Sequence, residues 1–409
     1  MADRNASGTD MCSGAMDRRR FLAATAGAAT AWAAGPAIGG AAPAKYRAAV
    51  IGHTGRGNYG HGLDRVWLEV PGVQVVAVAD ADANGLAAAV RRLGGAKGYA
   101  DYRKMLDETK VDLVSVAPRW LDQHRDMVVA AAERGARGIY LEKPMCRTPA
   151  EADEMVAACK KNNVKLAIAH QTRYSPKMKV IDDLVAAGRL GRIIEIRARG
   201  KEDRRGGGED LWVLGTHVLD LMHRFGGRPR SCLAWVMEGG QLAGTNSIRE
   251  GNEGIGPLQG DEIHASYRLA GGAMGYFDST RNAAGKPSRF GLSIHGTKGV
   301  VEIHTGYLPA VHFLPDSSWS PGRTGRKWLP VSSAGLDKPE PLKDGGLHAG
   351  NVLAAKDLIA AIEKGRSPLA DIETARTATE MIAAVFWSRR LGRRIDFPLK
   401  HRTNALARS

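Results

Sequence analysis

Short apolar segments alternate with helix-like segments from about residue 46 onward, and this alternation restricts the fold more than any other feature of the sequence. The apolar segments are Tyr46–Ile51, Val73–Ala79, Asp112–Ala117, Ile139–Leu141 and Val164–Ala169. Helix-like segments at 84–93, 122–134 and 149–161 separate them. Because neighbouring parallel strands need a crossover connection, the pattern predicts a doubly wound parallel sheet with helices on both faces.

The character of the chain changes after about residue 190. Six further segments have the composition of strands, at 193–199, 231–237, 262–269, 275–278, 290–295 and 299–304. Turns separate most of them, so we expect a large, mostly antiparallel open sheet in an α+β domain. A Gly/Pro/Ser-rich region at about 315–346 is predicted as loop, and two helices are predicted at about 349–364 and 372–391.

The first 44 residues have the pattern of a targeting segment. Arg18–Arg20 precede Phe21–Leu22, an Ala/Gly-rich apolar stretch runs to about residue 38, and residues 42–44 have the small-x-small pattern of a cleavage site. The stretch is too short for stable membrane insertion. The segment resembles a twin-arginine signal, which implies an exported, periplasmic protein and the twin-arginine machinery as a partner. A signal for the general secretion route and a retained anchor are the alternatives, and Met16 is an alternative start.

Charge and cysteine content exclude several classes of protein. The formal net charge is +15, but no long basic run with interleaved aromatic residues traces a nucleic-acid path, so no nucleic-acid partner is expected. Cys12 lies in the signal, and Cys146, Cys159 and Cys232 are widely spaced. This is neither a disulfide framework nor a metal-ligand pattern, so we expect packed thiols and no metal site.

A glycine-rich turn follows the first predicted strand, with the sequence Gly52-His53-Thr54-Gly55-Arg56-Gly57-Asn58-Tyr59-Gly60. Such a turn lets the backbone approach a pyrophosphate, and the helix expected after it offers free N–H groups. Counted from Gly52, the G-x-G-x-x-G spacing is imperfect, because Thr54 takes the middle position. We predict cofactor contacts from Gly52, Thr54, Gly55, Arg56 and Gly57.

Asp80 ends the second predicted strand, where a carboxylate can bind both ribose hydroxyls of a dinucleotide. It would repel a 2′-phosphate, and Ala81 follows it rather than a Ser or Arg that favours that phosphate. The cofactor is therefore predicted to be NAD, in preference to NADP. The alternative role for Asp80 is a cap at the strand end.

Leu141-Glu142-Lys143-Pro144-Met145 follows the fourth predicted strand. It resembles the Glu-Lys-Pro motif of the glucose–fructose oxidoreductase, inositol dehydrogenase and rhizopine-catabolism (Gfo/Idh/MocA) family. The resemblance extends to the glycine turn, Asp80, residues 118–124, the stretch from 206 to 220, and the ending at 392–398. It implies a Rossmann dinucleotide-binding domain at 45–165 and an α+β substrate and oligomerisation domain at 166–409, after the signal at 1–44.

The same resemblance implies roles for the chemistry-bearing side chains. Lys143 would contact both substrate and nicotinamide, and Glu142 lies in the cofactor site. The segment from Trp212 to Asp220 resembles the family's Asp-x-Gly-x-His-x-x-Asp element, in which the histidine exchanges a proton with the substrate. His217 and Asp220 match that element.

One position departs from it, because the orienting aspartate is replaced by Val213. Asp210 or Glu209 would have to supply the missing carboxylate from nearby. A buried histidine that caps the helix is the alternative role for His217.

The resemblance also implies site residues in the loops that follow the third and fifth predicted strands. Pro118, Trp120 and His124 lie in the loop after the third predicted strand, where the family contacts the cofactor. His170, Arg173 and Tyr174 follow the fifth strand and, with Trp212, His217 and Asp220, are predicted to contact substrate. A domain-interface role is the alternative for the first three. His348 and Asn351 have a weaker claim.

The sequence is consistent with three functions. The first is hydride transfer between NAD and a hydroxyl of a sugar, polyol or derivative, with Lys143 polarising the oxygen and His217 taking the proton. The second is an NAD-dependent lyase or glycosidase that oxidises transiently, an alternative kept open by Val213. The third is a cofactor-binding relative without turnover. A homo-oligomer is expected, because an open sheet commonly pairs with a copy of itself.

The signal yields a prediction of its own. Replacing Arg18 and Arg19 together by Lys should hold the precursor in the cytoplasm, because the paired guanidinium groups are what the twin-arginine route recognises. Cell fractionation with immunoblotting measures this. Normal export of the double variant would contradict the assignment.

Overall fold

The structure, a computed structural model, describes residues 45–407. The predicted signal at 1–44 lies outside these residues and stays a prediction. Among residues 45–407, no helix is both long enough and apolar enough to cross a membrane.

Residues 46–168 form a parallel sheet of six strands within the described chain, in the order β3-β2-β1-β4-β5-β6. Its strands are β1 Tyr46–Ile51, β2 Val73–Ala79, β3 Lys97–Tyr99, β4 Leu113–Val116, β5 Gly138–Leu141 and β6 Lys165–Ile168. The helices between them are α1 Ala83–Arg92, α2 Tyr102–Glu108, α3 His124–Glu133 and α4 Pro149–Lys161. The predicted parallel sheet is confirmed, and β3 is a short strand that the sequence pattern did not reveal.

The connection from β1 to β2 differs from the prediction. No α-helix follows the glycine turn; the segment continues through turns and ends in a short 3-10 helix, Val66–Glu69. Gly60 and Gly62 have φ angles of +60° and +83°, which a right-handed helix does not accommodate. The expectation of a helix N-terminus at the turn is therefore wrong.

The second half of the chain forms a large sheet of eleven strands within residues 45–407. Its strands are β7 Ile193–Arg199, β8 Pro229–Glu238, β9 Gln241–Leu242, β12 Glu262–Leu269, β13 Met274–Thr280, β14 Gly291–Gly296, β15 Val300–His304, β16 Val311–Leu314, β17 Leu329–Ser332, β18 Gly335–Leu336 and β19 Ile395–Asp396, while β10 Arg249–Glu250 and β11 Pro257–Leu258 form a separate hairpin. The β7–β13 pair is parallel and the other pairs are antiparallel, which confirms the predicted mostly antiparallel sheet.

Six helices lie in this half of the described chain. They are α5 Lys177–Ala186, α6 Gly208–Val213, α7 Gly215–Gly226, α8 Pro321–Thr324, α9 Leu347–Lys364 and α10 Ile372–Leu391. The α7 and α10 helices pack on the large sheet and contribute to its hydrophobic core. The region predicted as loop at 315–346 contains α8, β17 and β18, so that prediction is only partly right.

The C-terminal helices also return to the first sheet. Val352, Ala355 and Leu358 on α9 belong to the core of the parallel sheet. At Gly138, an added Cβ would lie 2.7 Å from Cδ1 of Ile362 and 2.9 Å from Cδ2 of Leu113. The glycine therefore permits α9 to approach β5 closely, and α9 completes a core that begins 300 residues earlier in the chain.

This close approach predicts a stability difference. Gly138→Ala should lower the free energy of unfolding by about 1–3 kcal/mol, because the added methyl overpacks a filled core. Gly322→Ala is the matched control, since a Cβ there meets no atom within 4 Å. Guanidinium unfolding of the two variants measures the difference. Equal stability of the two variants would contradict the inferred packing of α9.

Candidate active site

A cavity of about 250 Å³ lies where the ends of the parallel strands face the helices of the large sheet. Its lining residues come from both halves of the chain: His61, Lys143, Gln171, Thr172, Leu214, His217, Phe290, Thr305, Gly306 and Leu347. The predicted catalytic residues Lys143 and His217 are thus brought to one cavity, although they are far apart in sequence. Its size suits a small molecule, because pockets for drug-sized ligands are usually larger.

Lys143 is the second residue after β5 and is almost fully buried. Its Nζ donates a hydrogen bond to the carbonyl oxygen of Val213, at 3.2 Å. Burial lowers the pKa of Lys143, although the neighbouring Glu142 carboxylate opposes that effect. The ammonium group therefore contacts the second half of the chain. Because its pKa is lowered, it gives up its proton more readily than the ammonium group of an exposed lysine.

His217 lies in the first turn of α7 and borders the cavity. Burial, followed by the positive charge of Lys143, lowers the pKa of His217 well below its ordinary value. The ring is therefore neutral at neutral pH and able to accept a proton. No carboxylate among the described residues lies within hydrogen-bond distance of it.

Neither nearby carboxylate replaces the missing aspartate at position 213. Oδ2 of Asp210 accepts hydrogen bonds from Oγ of Ser279, at 2.6 Å, and from the backbone of Glu202, at 3.0 Å. Glu209 accepts a hydrogen bond from Asn252. Both carboxylates bind other groups and neither is hydrogen-bonded to His217, so the expectation that one of them orients this histidine is not met.

Four of the predicted substrate contacts are interior residues instead. Trp212 is buried in the core of the large sheet. Arg173 donates to Oδ2 of Asp220 at 2.5 Å, and the hydroxyl of Tyr174 accepts a hydrogen bond from the backbone of Ala370. Burial opposes the ionisation of Asp220, but Arg173 holds the pKa of that carboxyl well below its usual range. Arg173 and Asp220 join α7 to the end of the parallel sheet, and none of these four side chains lines the cavity.

His170 is also buried outside the cavity wall, and its Nε2 lies 3.1 Å from Oγ1 of Thr216. Its Nδ1 lies 3.4 Å from Oδ1 of Asp220. Its ring centre is 5.3 Å from that of His217. The domain-interface role therefore fits His170 better than direct substrate contact.

The cavity wall includes residues that sequence reasoning missed. Gln171 and Thr172 line the cavity, whereas the neighbouring residues predicted to do so, His170, Arg173 and Tyr174, do not. In the sequence, only their position next to His170 indicated a role in the site. Phe290, Thr305 and Leu347 come from loops and helix ends whose positions no motif indicates. His61 directly follows the glycine turn, and this adjacency is the feature of the sequence that could have identified it.

The loop after β4 is tied to the loop after β5 by His124. Nε2 of this buried histidine lies 2.7 Å from the carbonyl oxygen of Pro118, and Nδ1 lies 3.0 Å from that of Pro144. The guanidinium of Arg56 lies 4.4 Å from the ring centre of Trp120 and pairs with Asp122. Arg56 and Trp120 border a second cleft, of about 600 Å³, beside the glycine turn.

The glycine turn has a regular fingerprint in a register that starts three residues later than expected. Gly55, Gly57 and Gly60 form G-x-G-x-x-G, and all three have positive φ. An added Cβ at Gly57 would lie 2.3 Å from the backbone nitrogen of Arg119, and one at Gly60 would lie 2.5 Å from the carbonyl oxygen of Ala117. At Gly55 it would meet nothing within 4 Å, which leaves open space above the turn. These features fit a dinucleotide whose pyrophosphate approaches the backbone.

Asp80 is saturated with hydrogen bonds from the protein. Its carboxylate accepts from the backbone and hydroxyl of Thr54, the hydroxyl of Tyr59 and the backbone of Asp82, at 2.7–3.1 Å. Burial opposes ionisation, but these bonds hold the pKa of Asp80 below its ordinary value. Since a carboxylate has about four acceptor positions, none is left for a ribose hydroxyl in this arrangement.

Comparison with known proteins agrees with this geometry. Residues 46–170 match the model of the "Oxidoreductase family, NAD-binding Rossmann fold" and residues 183–397 match that of its "C-terminal alpha/beta domain". Levoglucosan dehydrogenase of Pseudarthrobacter phenanthrenivorans is 28% identical over 249 residues, which cover 55% of this chain and 63% of the relative. Myo-inositol 2-dehydrogenase of Thermotoga maritima is 25% identical, with 54% of this chain and 65% of the relative covered.

These alignments thus span just under two thirds of the two curated relatives. A solved levoglucosan dehydrogenase in complex with NADH and L-sorbose has a TM-score of 0.70 at 23% identity, covering 87% of this chain and 99% of the other, which shows the shared fold. The family models cover most of the chain and both of its sheets. The chain therefore belongs to the GFO/IDH/MocA oxidoreductase family, with its NAD-binding Rossmann fold and its C-terminal α/β domain.

Proposed function

We propose that the protein is an NAD-dependent oxidoreductase that interconverts a hydroxyl and a carbonyl group on a sugar, polyol or derivative. The observation that carries this proposal is the meeting of Lys143 and His217 in one small cavity at the ends of the parallel strands. The substrate class is supported by the relatives, which are named for levoglucosan and myo-inositol. The lining is polar on the Thr172 and Thr305 side and apolar at Phe290, as a ring with hydroxyl groups requires.

The chain's own residues divide the chemistry between them. The glycine turn would hold NAD, which would supply the hydride acceptor. Lys143 donates a hydrogen bond to the reacting oxygen in place of its bond to the carbonyl of Val213. His217, neutral because burial lowers its pKa, accepts the hydroxyl proton. Enclosure of both groups strengthens these interactions, because the surroundings screen charge weakly.

Export and self-association belong to the same proposal. Support for a twin-arginine signal is limited to the residues before 45, and a periplasmic location follows from it. Support for a homo-oligomer comes from the uncovered face of the large sheet. Leu233 and Trp235 on β8 are exposed there, and such apolar side chains are commonly covered by a second copy.

The catalytic pair can be tested directly. His217→Ala and Lys143→Ala should each lower kcat by about 10²–10⁴-fold, which is the usual contribution of a positioned proton-transfer group. NADH affinity should stay nearly constant, since neither side chain belongs to the glycine turn. Steady-state assays over a panel of anhydrosugars and inositols, with NADH binding by fluorescence, measure both. His304→Ala, on β15 outside the cavity, is the control, and unchanged turnover in His217→Ala would refute the proposed role.

The saturated Asp80 yields a second prediction. Tyr59→Phe removes one hydroxyl from the carboxylate and keeps the ring, so one acceptor position becomes free for ribose. NADH should then bind roughly tenfold more tightly, because a hydrogen bond to a charged group contributes about 1.5 kcal/mol. Isothermal titration measures the affinity, with Tyr102→Phe in α2 as the control. Weaker or unchanged binding would show that the ribose does not compete with Tyr59 for Asp80.

A further inference from the structure

A histidine that the sequence motifs do not include shares the cavity with Lys143 and His217. His61 directly follows the glycine turn, and its side chain is 30% exposed. Its Nδ1 is hydrogen-bonded to Oε1 of Glu142, whose side chain is fully buried. Oε2 of Glu142 has no partner within the described part of the chain. A histidine held by a buried carboxylate is the arrangement that orients an imidazole for proton transfer and stabilises its cation.

The position of His61 is firmly held. Nδ2 of Asn351 donates to the carbonyl oxygen of His61, at 3.0 Å, and Oδ1 of Asn351 accepts from Tyr140 and Gln171, at 2.8 and 2.9 Å. Gly60 permits the close approach, because an added Cβ would lie 3.1 Å from Cδ of Glu142. The pair is therefore built into the end of β5 and the start of α9 rather than formed by chance on a surface.

Unlike His61, His217 has no carboxylate hydrogen-bonded to its ring within the described residues. The position that would carry its orienting aspartate is Val213, and the described residues place no other carboxylate against its ring. Because burial and Lys143 lower the pKa of His217, it does not keep a proton at neutral pH. A proton that it takes from substrate must pass to another group, and His61 lines the same cavity and reaches solvent.

We propose that His61 and Glu142 form the proton-carrying pair of this cavity and pass the substrate's hydroxyl proton to solvent. This inference rests on the proposed oxidoreductase function. As the C–H bond of the substrate breaks, its electron pair leaves as hydride to bound NAD, and the O–H electrons form the carbonyl bond. The proton passes through His217 and water to Nε2 of His61. Oε1 of Glu142 accepts the hydrogen bond from Nδ1–H of the imidazolium, and the proton on Nε2 then leaves to bulk water.

The first test measures turnover. His61→Gln should lower kcat about 10²-fold with little change in KM, and free imidazole in the buffer should restore part of the loss. Restoration distinguishes a proton carrier from a structural residue, because a packing defect is not repaired by imidazole. His264→Gln is the matched control, since His264 lies 2.6 Å from Asp278 on the large sheet, outside the cavity. A loss of kcat that imidazole does not restore, or no loss at all, would overturn the proposal.

The second test needs no substrate. Nitrogen-15 NMR of the imidazoles should show Nδ1 of His61 protonated in the native protein, because Glu142 accepts that hydrogen bond. Glu142→Gln should shift the ring toward the Nε2–H form. Protonation at Nε2 alone in the native protein would overturn the pair. If the native enzyme oxidises no sugar of the panel, the proposed function fails, and the NMR result still decides whether His61 and Glu142 form the pair.

Discussion

The buried ion pair between Arg173 and Asp220 joins the two sides of the cavity that Lys143 and His217 line. Arg173 follows the last strand of the parallel sheet, and Asp220 lies on α7, three residues after His217. Removing one partner of such a pair leaves an uncompensated charge and costs about 3–5 kcal/mol. Because Arg173 also donates to the carbonyl oxygens of Asp220 and Leu369, the contact fixes the helix backbone as well as its side chain. The location of His217 opposite Lys143 depends on this contact.

A second buried carboxylate organises the cofactor end of the parallel sheet. Thr54 and Tyr59 both donate to Asp80, and two glycines make room for them. A Cβ at Gly52 would lie 2.1 Å from the Tyr59 ring, and a Cβ at Gly85 would lie 2.0 Å from Oγ1 of Thr54. The turn is therefore assembled around this carboxylate. Asp80 lies at the end of β2, where a carboxylate can bind ribose, but it also holds the glycine turn in shape. Ribose hydroxyls and the groups of the turn would therefore compete for the same carboxylate lone pairs.

Burial sets the protonation behaviour of Lys143 and His217. Lys143 and His217 are held where charge is weakly screened, and burial lowers the pKa of both. The lowered pKa of Lys143 makes it a more ready proton donor than an exposed lysine, and the lowered pKa of His217 leaves its ring neutral. The hydrogen bond between His61 and Glu142 places a stable acceptor at the edge of the same cavity. The valine at position 213 is then compatible with proton transfer, since the carboxylate partner acts on a different histidine.

The sequence by itself determined the parallel sheet, the mostly antiparallel second sheet, the glycine turn and the Lys143 motif. These depend on local periodicity and on short motifs, which act over a few residues. It did not reveal that turns and a 3-10 helix take the place of the α-helix expected after the glycine turn. The positive φ angles of Gly60 and Gly62 are incompatible with a right-handed helix there, and the sequence pattern does not show them.

Only the tertiary structure decided which side chains reach the cavity. Arg173 and Gln171 are two residues apart, yet Arg173 forms a buried ion pair with Asp220 and Gln171 lines the cavity. The return of α9 to the first core and the pairing of His61 with Glu142 join segments distant in sequence. Such contacts depend on how the two sheets pack, and a linear pattern carries no information about that packing.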